Sequence, residues 1–224
     1  LDGHVAQKLI VVARSSGEID SKQGIGLFLV DATLEGIAIN RTHMVDSRKS
    51  AKIEFSQVEV GADALLGEAD GGFDGLDRVL DIARIGLAAE MLGSIQEVFE
   101  RILDFLKTRE QFGILIGSFQ GLQHRAATMY SEIELCKSVV RAALAGLDDP
   151  AKSREDIAEL ASIAKAKLSE VFFEVSNEGI QMHGGIGMTD EFDIGFFLKR
   201  ARVAQHFLGD ASFHRDRYAS LNNF

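Results

Sequence analysis

The spacing of apolar residues changes once along this chain, and that change limits the folds open to it. Residues 8–14 (KLIVVAR), 25–31 (IGLFLVD), 36–42 (GIAINRT) and 51–60 (AKIEFSQVEV) are short, rich in β-branched residues, and separated by glycine or polar turns. Apolar and polar residues alternate in KIEF and again in QVEV of KIEFSQVEV, the pattern of a half-buried antiparallel strand. Beyond GGFDG the spacing becomes three or four: Leu76, Leu80, Ala83, Leu87 and Met91, continuing through Ile95, Val98, Phe99, Ile102 and Leu106. A second run holds Leu122, Ala126, Met129, Ile133, Cys136, Val140 and Ala143, and a third holds Ile157, Leu160, Ala164, Leu168, Val171 and Val175. Each run extends for about 25 to 35 residues, where an average helix has about 12. Long amphipathic helices joined by short breaks such as GLDDPAKS fold as antiparallel bundles. Two more helices are expected near 190–206 and 210–221. The chain therefore reads as mostly α: an up-down four-helix bundle over 71–224, preceded by an antiparallel β remnant over 1–70. The boundary is expected near Gly67 to Gly75.

One proline in 224 residues suits uninterrupted helices. A formal charge of −10 argues against a nucleic-acid binder, which would present a basic face, although a local patch can still hold an anion. The lone Cys136 has no internal disulfide partner, and a reducing, cytoplasmic setting is the expectation. No apolar run reaches the roughly 18 residues of a membrane span. Starting at Leu1 with no initiator methionine and no signal peptide, the chain reads as a piece of something longer, or as a processed one.

Two stretches carry chemistry. In KTREQFGILIGSFQGLQHRAATM, residues 107–129, Arg109 stands where the first long helix ends, and Phe112, Gly113 and Gly117 make a loop before Phe119 and Gln120 open the next. A helix start offers free N–H groups to an anion, and an arginine beside it can grip a phosphate. Equally, Arg109 can simply cap the C-terminal end of its own helix, which favours cations. In GIQMHGGIGMTDEF, residues 179–192, Gly184, Gly185 and Gly187 either end a helix and turn the chain, or let backbone approach a pyrophosphate with the Gln181 amide beside it. His183, His206 and His214, with Glu191 and Asp193, match no metal-ligand spacing, and no metal site is read from them.

Taken together, RxQFGxxxxxFQ followed some sixty residues on by QxxGGxG resembles the C-terminal half of the acyl-CoA dehydrogenase family. The resemblance extends over nearly the whole chain. VDSRKSAKIEFSQVEVGADALLGEADGGF is similar to the later strands of the family's middle β domain, and the rest to its C-terminal helical bundle. It implies a flavoprotein that removes the α-proton of an acyl-CoA thioester and passes the β-hydride to FAD. It also implies an FAD held partly across a subunit interface, with Arg109, Gln111, Phe112, Gln120, Gln181, Gly184 and Gly185 reaching a cofactor bound mainly by a neighbour. Electron-transfer flavoprotein or a similar acceptor, and a homo- or hetero-oligomer, follow as expected partners.

The catalytic positions depart from the pattern. The family's base is usually a glutamate in a tyrosine–glutamate–glycine–threonine stretch, and ungapped counting from Gln181 lays that stretch on Phe207, Leu208, Gly209 and Asp210. The alternative location, just before the arginine matched by Arg84, holds Ala83. Neither leucine nor alanine can abstract a proton. Asp210, two residues past the usual position, is the remaining candidate base, or else the N-cap of the following helix. Asp81 lies about 200° around the helix from Ala83 and points away from it. Arg84 is a candidate substrate contact. Three readings stay open: a dehydrogenase with a displaced base, a partner subunit that completes a neighbour's FAD site, and an oligomerisation element without cofactor.

Overall fold

The computed structural model describes residues 1–224. Four seven-residue strands come first: β1 (Lys8–Arg14), β2 (Ile25–Asp31), β3 (Ile37–His43) and β4 (Lys49–Phe55). β1 and β2 pair antiparallel from Lys8↔Asp31 to Arg14↔Ile25, and a two-residue strand β5 (Leu65–Leu66) joins the other edge of β2. β3 and β4 form a separate hairpin. The period of two is visible in β1, where Leu9, Val11 and Ala13 are half-buried and their neighbours are exposed.

The strand expected over 51–60 begins at Lys49 and stops at Phe55. The Ser56 amide donates to the Gly36 carbonyl at 2.9 Å, and Gln57 then takes a left-handed φ of 51°. Past the end of the ladder the alternation resumes at Val58 and Val60, one residue out of phase with Ile53 and Phe55. Side-chain polarity records which face a residue would take, and it is blind to a backbone that has already turned.

Five helices follow: α1 (Gly72–Thr108), α2 (Gln120–Asp148), α3 (Arg154–His183), α4 (Ile194–His206) and α5 (Ala211–Leu221). The chain divides into two compact units, Leu1–Val79 and Leu80–Phe224. In the second, contacts fix the helix directions. Asp81 meets Arg154 near the start of α3, and Phe105 meets His183 at its end, so α1 and α3 run parallel. Arg125 pairs with Glu178 and Lys167 with Glu132, so α2 runs the other way. Ile194 lies against Gly179, Lys165 bonds the Gln205 carbonyl, and Asn222 reaches Glu159. α4 and α5 therefore both descend along α3 and together make the fourth helix of the bundle, broken at 207–210.

A capping box starts α3: the Ser153 hydroxyl accepts from the Asp156 amide, and the Asp156 carboxylate accepts from the Ser153 amide. Ile95, Ile102, Ile133, Leu168 and Phe172 are among the fully buried side chains of the core. Each contributes about 1.5–3 kcal/mol by leaving water. A Cβ added at Gly179 would stand 3.0 Å from Val98 Cγ1, so glycine marks the close approach of α1 and α3. Ala83, expected on the apolar stripe of α1, is exposed, while Asp81, Arg84, Ile85 and Ala88 face inward. A methyl side chain fixes the phase of a helix poorly, and two buried charged residues hid the true one. No helix is long and apolar enough to cross a membrane.

Candidate functional site

The loop expected after Arg109 is a tight hairpin. β6 (Glu110–Gln111) pairs with β7 (Ile114–Leu115) around Phe112 and Gly113, with φ values of 56° and 80°. Positive φ at both central residues is what a two-residue primed turn demands. For a side chain with a Cβ that conformation costs about 1–2 kcal/mol. Phe112 is nonetheless 92% exposed, touching Phe119 edge-on at 6.2 Å. Little burial inside the chain offsets the strain. Arg109 and Gln111 are exposed on the same hairpin, with the Gln111 side-chain amide donating to the Glu110 carbonyl. α2 then opens at Gln120 behind Phe119, and no side chain caps its first amides.

At the end of α3, Gly184 has φ 63° and ψ −144°, a region essentially reserved for glycine. A Cβ at Gly184 or Gly185 would meet nothing within 4 Å. Packing inside the chain therefore gives no reason for glycine at 185, whose surface is open. Gly187 differs, since a Cβ there would lie 2.7 Å from the Ile180 carbonyl. Gln181 is exposed beside this turn. The hairpin and the glycine turn share one end of the bundle, because Phe105, whose carbonyl accepts from the Arg109 amide, stacks on His183 at 4.3 Å. Sequence separation gave no view of this.

The break in the fourth helix holds the second group. Leu208 (φ 62°) and Gly209 (φ 100°) break the helix while the chain keeps its direction along α3, and the Leu208 side chain packs on the apolar core. Asp210 is the N-cap of α5, its Oδ1 accepting from the Phe213 amide at 2.9 Å. That bond holds its carboxyl below the usual range, with His206 and Lys165 adding to the effect. A carboxylate so held is a weaker base than an ordinary aspartate.

Three buried nitrogen groups converge on the turn's carbonyls. Arg84 Nε donates to Leu208 O at 3.3 Å, and Lys165 Nζ donates to Gly209 O at 2.7 Å and Gln205 O at 3.2 Å. His214 Nε2 lies 3.0 Å from Leu208 O and must carry its hydrogen there, because a carbonyl only accepts. Burial pushes Lys165 down to about 8 and His214 down to about 4. Arg84 also donates to Asp81, which is 0% exposed and accepts from Arg154 and Arg217 as well. Burial opposes the Asp81 charge, but the hydrogen bonds from Arg217, Arg84 and Arg154 outweigh it and lower its pKa. Asp81 does face away from Ala83, yet Arg84 ties it to the Leu208 turn. Arg84, read as a substrate contact, is turned inward as a brace of that turn.

The sequence reading missed Lys165. Its signal was a lysine at helical spacing from Ala161, Leu168 and Phe172, on the face that proves to be core. His183 bonds the Gly179 carbonyl one turn back in α3, His214 bonds the Leu208 carbonyl, and no cluster of three potential metal ligands occurs.

Comparison with known proteins fits this geometry. The family described as acyl-CoA dehydrogenase, C-terminal domain, matches residues 70–220. The chain belongs to the acyl-CoA dehydrogenase family. Among similar curated proteins, a probable acyl-CoA dehydrogenase of Bacillus subtilis is 32% identical over 203 residues, which are 89% of this chain and 52% of that protein. The mitochondrial short/branched chain specific acyl-CoA dehydrogenase of Bos taurus is 29% identical over 207 residues, 91% of this chain and 47% of the other. A caffeyl-CoA reductase–Etf complex subunit of Acetobacterium woodii is 29% identical over 184 residues, 81% of this chain and 48% of that subunit. Butyryl-CoA dehydrogenase from Megasphaera elsdenii superposes with a TM-score of 0.91 at 25% identity, over 100% of this chain and 58% of that one. The chain thus spans about half the length of the curated relatives it matches.

Proposed function

We propose that this chain is the FAD-completing half of an acyl-CoA dehydrogenase-type oxidoreductase, and that it supplies no catalytic base of its own. Arg109, Gln111, Phe112, Gln120, Gln181, Gly184 and Gly185 would reach an FAD held mainly by a second subunit. The residues fit such a group: a strained, exposed Phe112 and an unobstructed Gly184–Gly185 turn stand at one end of the bundle. The exposed glycine turn and Arg109, at the same end of the bundle, suit a pyrophosphate, which wants bare backbone amides and a guanidinium fork. Bound FAD would supply the hydride acceptor for α,β-dehydrogenation of an acyl-CoA thioester. We assign residues 1–70 to part of the family's middle β domain and 71–224 to its C-terminal bundle.

Leu208 and Ala83 at the two base positions are the observation that separates this reading from a self-sufficient dehydrogenase. Asp210 acts as a helix cap in this reading, and Arg84 as a support of the turn. The partners are a base-bearing subunit, an acyl-CoA, and electron-transfer flavoprotein or a similar acceptor, in a cytoplasmic oligomer serving fatty acid metabolism. The test is the flavin absorbance spectrum of the chain alone and mixed with a full-length relative. The expected result is a colourless solitary protein that raises flavin retention in the mixture, with R109A and Q181A abolishing the gain. Acyl-CoA oxidation at an ordinary enzyme rate by the chain alone would defeat the reading.

A further inference from the structure

His183 belongs to neither of the groups assigned so far, yet it joins the end of α1 that leads into the hairpin to the glycine turn. Its ring stacks on Phe105 at a centroid distance of 4.3 Å and an interplanar angle of 26°, and Phe192 packs against both rings, 5.6 Å from His183 and 6.0 Å from Phe105. Phe105 holds the Arg109 amide through its own carbonyl at 2.9 Å, and Arg109 in turn accepts from the Ile116 amide at 2.9 Å, closing the hairpin. On the other side, His183 is the last residue of α3, directly before Gly184. Rotation of the ring is blocked, since Nδ1 lies 2.7 Å from Gly179 O and must donate to it.

From this juxtaposition we infer that His183 is a positioning residue. Its ring, stacked on Phe105, sets the distance between the 109–116 hairpin and the Gly184–Gly185 turn, so that both reach one flavin nucleotide. Only the word "flavin" rests on the function proposed above; the coupling of the two segments rests on the contacts. Charge does not act here. Burial keeps the imidazole below its ordinary range, and the nearest ions, Arg101 on α1 and Asp193 ahead of α4, are paired with each other at 2.5 Å, Arg101 also holding Glu97.

An aromatic pair of this kind is worth about two- to tenfold in an equilibrium beyond the area it buries. The experiment compares H183A, which removes the ring, with H183F, which keeps the stack and loses the hydrogen bond. Amide hydrogen exchange is measured across residues 109–116, and FAD affinity is measured in the mixture with a full-length relative. Exchange in the hairpin is expected to quicken about tenfold in H183A and to stay within about threefold of wild type in H183F, with FAD affinity moving in parallel. Should H183A fail to fold, H183L against H183F carries the same contrast between bulk and ring. Unchanged hairpin exchange in the ring-less variant would overturn the inference, and so would an H183F protein as loose as H183A. A loosened hairpin in H183A, with no flavin bound by wild type in any assembly, would uphold the coupling and remove the flavin function instead.

Discussion

Replacing Asp81 by asparagine tests whether the buried ion network holds the bundle together. The Asp81 carboxylate accepts from Arg84 Nη1 at 2.8 Å, Arg154 Nη1 at 2.5 Å, and Arg217 Nη1 and Nη2 at 2.7 and 2.9 Å, and the residue is 0% exposed. These contacts tie α1 to the first turn of α3 and to α5, elements distant in sequence. Asparagine keeps the volume but removes the charge that the three guanidinium groups share. Breaking a buried pair from one side costs about 3–5 kcal/mol. At about 2–4 °C per kcal/mol for a domain of this size, the melting midpoint should fall by roughly 10 °C. Urea titration followed by helical circular dichroism measures the loss, with D104N at an exposed site of α1 as a control expected within about 0.5 kcal/mol of wild type. The sign with pH is fixed by the lowered pKa. The Asp81 contribution is fully present above the unfolded value of about 3.9 and is lost as pH falls through the folded one. The gap between wild type and D81N should therefore close in acid. A loss under about 1 kcal/mol at pH 7 would refute the claim that this network bears on stability.

Lys165, lowered to about 8 when folded against about 10.4 unfolded, binds its proton less well in the native state. Stability should accordingly rise between about pH 8 and 10.4, by about 3 kcal/mol, and urea titrations of K165M should show that rise missing. D210A should cost about 1 kcal/mol through the lost α5 cap while leaving flavin retention in the mixture unchanged; a loss of retention would make Asp210 more than a cap. F112G should relieve left-handed strain, raising thermal stability by about 1 kcal/mol in calorimetry, and should weaken flavin retention in the same preparation. A variant that is both more stable and fully retentive would show that the phenyl ring faces solvent to no purpose.

The three long helices were legible because each buries one continuous stripe, and a stripe is a local, periodic property of the sequence. The hairpin around Phe112 was harder to read, since a phenylalanine in the first left-handed position contradicts the usual glycine or asparagine. The α5 cap at Asp210 was one of two readings the sequence left open, and the bond from the Phe213 amide shows that cap in place. The surroundings of Arg84 were not legible, because its bond to the Leu208 carbonyl joins residues 124 apart in sequence.

The amino-acid sequence alone determined the switch from strand to helix and the family. Those depend on residue identity and spacing, which need no partners. The tertiary structure decided the rest. That α4 and α5 form one broken helix antiparallel to α3 follows from Ile194 meeting Gly179 while Lys165 meets Gln205. That Asp81, Arg84, Arg154 and Arg217 make one network follows from packing that excludes water around them. On an open chain those charges would be separately solvated and indifferent to one another. Folding removes the competing solvent, and only then does a carboxylate choose its arginines.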